Sequence, residues 1–293
     1  MIAHLLTRPM KTFWLLFTIS LYISCASNEV AQSKNHGLGE LISNNKNVYF
    51  EDKIFEDEVD FTSYLDKYLV SSGIYQVKTY SSITFKNCTF KKPVISSIKS
   101  NNSIVFMLFM DNLTFLDCQF EDVVNLRGSS VYGKTDFTKS IFKKDVNFEE
   151  TNFFQDVHFK SCIFEEELRF QNSFFLQKAN FTSSEYGANA SFQNTVFNSE
   201  IQFNVCKFYK YADFSLIDCR GNTFFNYAEF FQKANFSNGI YGRDFNYTNT
   251  VNSRASFKGS RFMGKVKLFE STFAKTPNFE NTFFLHEKPD INF

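Results

Sequence analysis

Large apolar residues recur along most of this chain at spacings that alternate between five and six residues. Between residues 115 and 241 the alternation has no exception. The repeating positions are Phe115, Phe120, Leu126, Val131, Phe137, Phe142, Phe148, Phe153, Phe159, Phe164, Phe170, Phe175, Phe181, Tyr186, Phe192, Phe197, Phe203, Phe208, Phe214, Cys219, Phe225, Phe230, Phe236 and Tyr241. A helix repeats about every 3.6 residues and a strand about every 2, so neither generates this period of 11 residues. A chain that turns a corner after every short segment does, because one residue per segment then points inward. The spacing predicts a coiling solenoid.

A second set of residues repeats in register with the first. Two positions before each central aromatic residue the chain carries a small or β-branched side chain. One such column reads Cys118, Ser140, Cys162, Ser184, Cys206 and Ala228, and another reads Val124, Val146, Leu168, Ala190, Ala212 and Ala234. The members of a column are 22 residues apart, which predicts one turn with four sides of 5, 6, 5 and 6 residues. Stacked coils would then lie roughly 4.8 Å apart, the spacing of paired strands, and satisfy each other's backbone groups.

Several triplets in the array resemble the signature of the pentapeptide-repeat family, in which a small residue and then Asn or Asp precede a central Leu or Phe. The triplets begin at Val146, Ala179, Ala190, Ala212 and Ala234. The resemblance implies a right-handed quadrilateral β-helix, so we expect an all-β solenoid of about eleven 22-residue coils. The family uses five residues on every side, whereas every second side here has six, so the chain looks like a Phe-centred variant. Family members have structural, interaction and inhibitor roles, and the resemblance leaves the function open.

The first residues have the pattern of an export signal. Arg8 and Lys11 precede an uncharged stretch over residues 12–27. Its apolar core, residues 13–17, is too short to span a bilayer and is typical of a signal peptide. Met10 reads as the true start of translation. We therefore expect an exported protein.

The end of this signal resembles a bacterial lipobox. Residues 21–25 read LYISC, and in a lipobox the cysteine, here Cys25, becomes the lipidated first residue after cleavage. We therefore assign residues 1–25 to a lipoprotein-type signal peptide and expect membrane contact through the lipid. Two alternatives stay open. Ordinary cleavage near Ala26 or Ser27 would release a soluble secreted protein, and an uncleaved signal would anchor it directly.

Behind the signal the chain divides into three parts. Residues 26–46 are polar and lack a periodic pattern, so we expect a flexible tether there. Residues 47–114 contain the first coils with irregular insertions, and residues 115–293 form the regular β-helix array. Insertions in solenoids lie in loops on one face and often carry binding, although a neutral insertion near the end of the array explains them equally well.

The alternating spacing fails at three places. The stretch from Phe61 to Phe85 is slightly longer than one regular coil, with apolar spacing that indicates a short helix or an irregular coil. The stretch from Phe90 to Phe120 is longer still, so we expect about eight residues to bulge out near residues 91–102. Between residues 241 and 257 one residue is missing from the pattern.

Composition and motifs exclude several function classes. The 31 basic and 31 acidic residues cancel, so no global field attracts nucleic acid, and we expect no nucleic-acid partner. Metal-ligand spacings, glycine-rich phosphate loops and nucleophile elbows are missing, so we expect no metal, no cofactor and no enzymatic activity. Cys118, Cys162 and Cys206 are two coils apart, about 9.6 Å, whereas a disulfide needs about 4.4–6.8 Å between Cα atoms. We interpret them as buried core residues.

Outward apolar residues are the best candidates for a functional site. Because central residues point inward, their neighbours point outward, and Tyr132, Phe154 and Leu176 then form a stripe that climbs three coils, flanked by Phe174. Tyr209 and Phe231 form a shorter stripe on another face. Contiguous exposed apolar patches usually mark contacts, so we expect a protein partner or self-association here. The alternative is that these residues fold back into the coil at its corners.

These features predict a non-enzymatic structural scaffold or protein-interaction module of the bacterial cell envelope, anchored through Cys25. The alternative is a secreted carbohydrate-binding or carbohydrate-active β-helix. The surface distinguishes them, because sugar binding needs aromatic platforms beside carboxylates, whereas docking of a protein needs an uncharged apolar stripe.

The anchor is tested by the state of Cys25. We expect the mature protein to carry an acyl mass on Cys25 and to fractionate with membranes, and Cys25→Ser to release it or block maturation. Mass spectrometry of the purified N-terminus provides the measurement. A mature N-terminus at Ala26, Ser27 or Asn28 without acyl mass would show ordinary signal cleavage instead.

Overall fold

The computed structural model describes residues 37–100, 102–241, 255–268, 271–273 and 275–288. The predicted signal peptide, residues 1–25, and its Cys25 lie outside the described residues. Almost all regular structure in the described part is β-strand, with one helix, α1, at Leu38–Ser43. No helix in these ranges is long and apolar enough to cross a membrane. The predicted all-β fold class is confirmed.

Four sheets of mainly parallel strands, here named A to D, stack along the coils, and each turn of the chain visits them in that order. Sheet A contains Val48–Glu51, Ile83–Lys86, Leu113–Leu116, Thr135–Asp136, Val157–His158, Ala179–Asn180, Ile201–Gln202, Thr223–Phe224 and Ala255–Ser256. Sheet B contains Ile54–Phe55, Thr89–Phe90, Gln119–Phe120, Ile141–Phe142, Ile163–Phe164, Glu185–Tyr186, Lys207–Phe208, Glu229–Phe230, Arg261–Phe262 and Phe283–Phe284. Sheet C contains Val59–Asp60, Val94–Ile95, Val124–Asn125, Val146–Asn147, Leu168–Arg169, Ala190–Ser191, Ala212–Asp213, Ala234–Asn235 and Val266–Lys267. Sheet D contains Tyr68–Ser71, Ile74–Thr79, Ser97–Lys99, Ile104–Phe109, Ser130–Val131, Asn152–Phe153, Phe174–Phe175, Val196–Phe197, Asp218–Cys219, Ile240–Tyr241 and Thr272–Phe273.

The pairing register is the one that the sequence predicts. In sheet C, Val124 pairs with Val146 and Val146 pairs with Leu168, so residues 22 apart are neighbours in successive coils. The amide of Phe148 donates a hydrogen bond to the carbonyl of Arg169 at 2.7 Å, and equivalent bonds repeat along the stack. Each coil therefore satisfies its backbone polar groups on its neighbours.

The repeating aromatic residues fill the interior as continuous stacks of rings. The Phe164 ring is fully buried, with its centroid 4.8 Å from that of Phe142 in one neighbouring coil and 5.3 Å from that of Tyr186 in the other. Rings from different sides of the coil meet at steep angles, as Phe159 and Phe170 do at 5.5 Å and 81°. Stacked and edge-to-face arrangements are both favourable for aromatic pairs. The regular 5–6 repeat is therefore the core of the protein.

Two kinds of corner explain why the spacing alternates. The corner after sheet A is a β-turn closed by a hydrogen bond from Ser140 N–H to the Phe137 carbonyl at 3.0 Å. Its third residue, Lys139, has a left-handed φ of 62°. The equivalent turn after sheet C places Glu150 in the same conformation, with φ 58°. The described corners after sheets B and D contain no left-handed residue and use one residue more.

The column of small residues also supplies hydrogen-bond donors. Ser140 Oγ donates to the Phe115 carbonyl at 2.8 Å, and Cys162 Sγ lies 3.0 Å from the Phe137 carbonyl. The same contact to the preceding coil recurs at Thr151, Ser173, Thr195 and Cys206. Because buried polar groups need partners, a small side chain with a donor suits this position better than a purely apolar one.

The predicted tether over residues 26–46 is wrong for its last part. Helix α1 occupies Leu38–Ser43, and its residues Leu38, Leu41 and Ile42 are buried in the same cluster as the first coils. Their spacing is that of one helix face, which is hard to recognise over six residues. The helix covers apolar surface that a terminal coil would otherwise expose.

The first coil is longer than the sequence indicated. Val48 pairs with Ile83, 35 residues later, so the irregular stretch between residues 61 and 85 is an insertion within one coil. The insertion forms an antiparallel hairpin of the strands Tyr68–Ser71 and Ile74–Thr79, with Gly73 at a left-handed φ of 73° in its turn. The short helix considered for this stretch is therefore wrong.

A second insertion leaves the coil between the same two sheets, C and D. Pro93 does not break the coil, because its carbonyl accepts a hydrogen bond from Val59 N–H at 2.9 Å at the start of the strand Val94–Ile95. The additional residues instead form an antiparallel pair of Ser97–Lys99 with Ile104–Phe109. The bulge predicted for residues 91–102 therefore begins later than expected.

The third irregularity is also an insertion. Thr223 pairs with Ala255, which lies further along the chain than one regular coil would place it, and the Phe225 and Phe257 rings stack at 5.3 Å. The coil has gained residues, so the prediction that one is missing between residues 241 and 257 is wrong. The gain falls largely within residues 242–254, outside the described ranges.

The core register predicts the effect of Phe164→Ala. Removing this buried ring leaves a cavity between Phe142 and Tyr186 and should lower the free energy of unfolding by about 3–5 kcal/mol. Chemical denaturation followed by circular dichroism measures the change. Ile163→Ala is the matched control. The Ile163 side chain, next to Phe164, is 40% exposed, so its removal should lower the free energy of unfolding much less. Equal stability of Phe164→Ala and wild type would contradict the assigned core.

Candidate functional site

The residues of the predicted stripe lie together on the outer surface of sheet D. The Tyr132 and Phe154 rings stack with centroids 4.5 Å apart and 9° between planes, and Phe174 meets Phe154 edge-on at 6.4 Å. Tyr132 is 40% exposed, and Phe154, Phe174 and Leu176 are half-buried. Each flanks an inward central residue, so the alternation of the strand directs it outward. None of the four folds back into the coil.

The stripe begins two coils earlier than the sequence indicated. Tyr132 N–H donates to the Phe109 carbonyl, and Met110 N–H donates to the Thr79 carbonyl, both at 2.8–2.9 Å. Met110 therefore lies next to Tyr132 in the preceding coil, and Tyr80 lies next to Met110. The second insertion falls between Tyr80 and Met110, so a search at the regular interval of one coil does not connect them. Both residues could have been found from the sequence by looking for an apolar residue directly after each inward position, here Thr79 and Phe109.

The stripe is uncharged along most of its length. We call the following residues the sheet D stripe: Tyr80, Met110, Tyr132, Phe154 and Leu176. The outward column beside it contains Leu108, Ser130, Asn152, Phe174 and Val196. At the C-terminal end the stripe stops at a polar group, where Arg220 donates to Asn198 and to Asp218, each at 3.1 Å. The stripe itself is apolar over five successive coils, whereas the column beside it also holds Ser130, Asn152 and, next to Tyr80, Lys78.

The inserted hairpin extends this apolar surface at its N-terminal end. The strand Tyr68–Ser71 is the last strand of sheet D, and Tyr68, Leu69 and Val70 are each more than half exposed. A cavity of about 480 Å³ lies between the hairpin, helix α1 and the start of the stripe. Its lining includes Ser43, Leu65, Tyr68, Gln76 and Tyr80. Exposed edge strands of this kind readily pair with another chain.

The second predicted stripe lies on sheet B and differs in its surroundings. Tyr209 and Phe231 stack at 5.0 Å with 12° between ring planes. The Tyr209 hydroxyl donates to the Glu185 carboxylate at 3.1 Å, and Lys207 pairs with the same carboxylate at 2.9 Å. The hydrogen bond from Lys207 lowers the pKa of Glu185, which keeps the carboxylate ionised. This surface therefore combines aromatic rings with fixed charges.

The described interior consists of apolar side chains, small polar residues and buried thiols. Among the described residues no cluster of His, Cys, Asp and Glu can hold a metal ion. The described cysteines are free and buried, and burial raises the pKa of Cys206 to about 12. Tyr186 is buried too, and burial raises the pKa of its hydroxyl. The thiol of Cys206 therefore stays protonated near neutral pH.

Four stacked sheets around a continuous aromatic core define a repeat solenoid of the β-helix class. A family model described as pentapeptide repeats matches the chain with nine copies, over residues 115–163. Residues 115–163 thus carry the pentapeptide repeats that the triplets indicated, and the stacked parallel sheets are consistent with a pentapeptide-repeat β-helix. Comparisons with curated proteins and with solved structures gave no significant match. Pentapeptide-repeat β-helices are generally structural rather than enzymatic.

Proposed function

We propose that this protein is a non-enzymatic scaffold of the bacterial cell envelope that docks a protein on the sheet D stripe. The observation that carries the proposal is a stripe of apolar residues maintained through five coils, from Tyr80 to Leu176, on a fold whose other outward positions are largely polar. The one charged side chain in the column beside it over these coils is Lys78, whose ammonium lies 5.9 Å from the Tyr80 ring centroid. A repeat built only for solubility would place Lys or Glu there, as it does at Lys143 and Glu165 on sheet B.

The size of the stripe is suited to a contact of moderate strength. Burial contributes about 25 cal/mol per Å² of apolar area, so covering a few hundred Å² is worth several kcal/mol before the costs of association. A stable specific interface buries about 800 Å² on each partner, more than the stripe alone offers. The adjoining strand Tyr68–Ser71 supplies further apolar surface at the edge of sheet D.

Export and anchoring enter the proposal from the sequence. The LYISC segment supports lipidation of Cys25, and twelve residues separate Cys25 from Leu38, where helix α1 begins. A linker of that length reaches at most roughly 40 Å when fully extended. An anchored protein would therefore hold its first coils, with the hairpin and the start of the stripe, close to the membrane surface.

A second candidate function is favoured by the sheet B stripe. Exposed aromatic rings with carboxylate and ammonium groups beside them suit a sugar ring, whose C–H faces stack on aromatics while its hydroxyls bind charges. Tyr209, Phe231, Glu185 and Lys207 provide this combination. The sheet D stripe has no charged member, and neither has the column beside it from Leu108 to Val196. Protein docking is therefore the better interpretation for that surface.

The docking surface is tested by changing Tyr132, Phe154 and Leu176 together to Ser. We expect the variant to fold, as judged by circular dichroism, and to lose at least about tenfold in affinity for its protein contact. Sedimentation of the purified protein detects pairing of two copies, and cross-linking in membranes detects another partner. The control replaces Lys143 and Glu165 by Ser at the equivalent outward positions of sheet B. An unchanged oligomeric state together with unchanged cross-links would remove the support for docking.

The sugar-binding candidate is tested by calorimetry with chito- and cello-oligosaccharides. If the sheet B stripe binds sugar, the wild type should bind one of these probes and the double variant Tyr209→Ala, Phe231→Ala should not. The triple Ser variant of the sheet D stripe serves as the control and should bind like wild type. A wild type that binds neither series, or a double variant that binds as well as wild type, rejects this candidate.

A further inference from the structure

Two cysteines are direct neighbours in the column that lines the interior beside sheet B. Thr89 pairs with Gln119 in adjacent strands, and Gln119 N–H donates to the Cys88 carbonyl at 2.8 Å, so Cys88 and Cys118 occupy the same position in successive coils. The second insertion lies between them in the chain, and the regular interval of one coil therefore does not relate them.

The other cysteines of this column have no such neighbour. Cys118, Cys162 and Cys206 alternate with Ser140 and Ser184, which keeps them two coils apart. Cys88 and Cys118 are therefore the adjacent pair in the described part of this column. Only at this step does the column place two sulfurs on the same inner wall at one strand spacing.

The spacing suits a covalent bond. Paired strands are roughly 4.8 Å apart, which lies within the range of about 4.4–6.8 Å between the Cα atoms of a disulfide. Both side chains point inward and are 1% exposed. Closing the bond needs the Cβ atoms within about 3.5–4.5 Å, slightly closer than the roughly 4.8 Å between paired strands.

The sulfurs of this pair make only long contacts to backbone carbonyls. Cys88 Sγ lies 3.5 Å from the Phe50 carbonyl and 3.3 Å from that of Lys86, and Cys118 Sγ lies 3.5 Å from the Phe85 carbonyl and 3.4 Å from that of Leu116. Since thiols are weak donors, these contacts cost little to give up.

We propose that Cys88 and Cys118 form a disulfide site that links the second coil to the third when the protein meets a disulfide oxidant. Both thiols are free in the structure, which corresponds to the reduced form. A small-molecule disulfide such as oxidised glutathione supplies the oxidising equivalents. The Cys88 thiolate attacks one sulfur of that molecule, forming a mixed disulfide and releasing one glutathione thiol. Cys118 then loses its proton, attacks the Cys88 sulfur and displaces the second glutathione thiol.

The electrostatics of the pair agree with this order of attack. A hydrogen bond from the Cys118 thiol lowers the pKa of Cys88, which favours its thiolate. The same hydrogen bond, followed by burial, raises the pKa of Cys118, so Cys118 keeps its proton until the second step. Thiolates are the attacking species in disulfide exchange, and Cys88 is therefore the first nucleophile.

The link closes one of the irregular coils of the stack. The chain between Cys88 and Cys118 contains the inserted strands Ser97–Lys99 and Ile104–Phe109, where the repeat departs from its regular length. A disulfide restricts the unfolded chain most where the loop that it closes is long. It would therefore hold the N-terminal coils together at the point where the insertion leaves them.

The site is tested by mapping disulfides in the full chain. The protein is unfolded, reduced and refolded with oxidised glutathione in excess, so that burial does not limit access, and a parallel sample is refolded with reductant. We expect alkylation and peptide mapping to show one cross-linked peptide joining Cys88 to Cys118, with Cys162 and Cys206 free. Absence of that peptide after oxidative refolding, or equal amounts of links to Cys162 or Cys206, would overturn the proposal.

A second measurement uses Cys118→Ser, a change for which Ser140 and Ser184 provide precedent in the same column. We expect oxidised wild type to unfold at a higher denaturant concentration than reduced wild type, while the variant unfolds at the same concentration with either treatment. A variant that responds to the oxidant as strongly as wild type would show that another pair is responsible and would also overturn the proposal.

Discussion

The hydrogen bonds between successive coils are the interaction on which the rest of this structure depends. A strand of two residues cannot satisfy its own backbone, so each coil is stable only against its neighbours. Phe148 N–H to the Arg169 carbonyl and its equivalents impose the same chain length on every regular coil. Once that length is imposed, residues at equivalent positions of successive coils lie above one another. Because the inward position is mostly phenylalanine, stacks of phenylalanine rings result.

Because the coils stack regularly, the residues on the outer surface can be assigned directly from the sequence. On each sheet a residue next to a central position points outward, and the equivalent residue one coil later extends the same column. A column of Lys or Glu has no further consequence, but a column of Tyr, Met, Phe and Leu creates an apolar stripe without any change of fold. Function in such a protein therefore lies in the choice of outward residues and in the insertions, both of which the core tolerates.

The insertions show why some of the sequence predictions failed. The steps from Val48 to Ile83 and from Thr223 to Ala255 are both longer than a regular coil, yet the coils on both sides remain in register. A solenoid accepts additional residues at a corner because only the paired segments need to align. Counting along the chain therefore missed Tyr80, which lies one lengthened coil before Met110, and it concealed the adjacency of Cys88 and Cys118. It also could not show that Leu38, Leu41 and Ile42 form the buried face of helix α1 instead of lying in a flexible tether.

The sequence by itself determined the class of fold, the register of the regular array, the inward Phe column and the outward direction of Tyr132, Phe154 and Leu176. These follow from local periodicity, because a period of 11 residues with alternating spacings of five and six places one inward residue on each side of the coil. Only the tertiary structure decided where the sheet D stripe begins, at which corner the inserted hairpin leaves the coil and which cysteines are neighbours. These depend on which segments pair after an insertion, and the insertion can have any length. The pairing is stabilised by contacts between coils, which no local sequence pattern reveals.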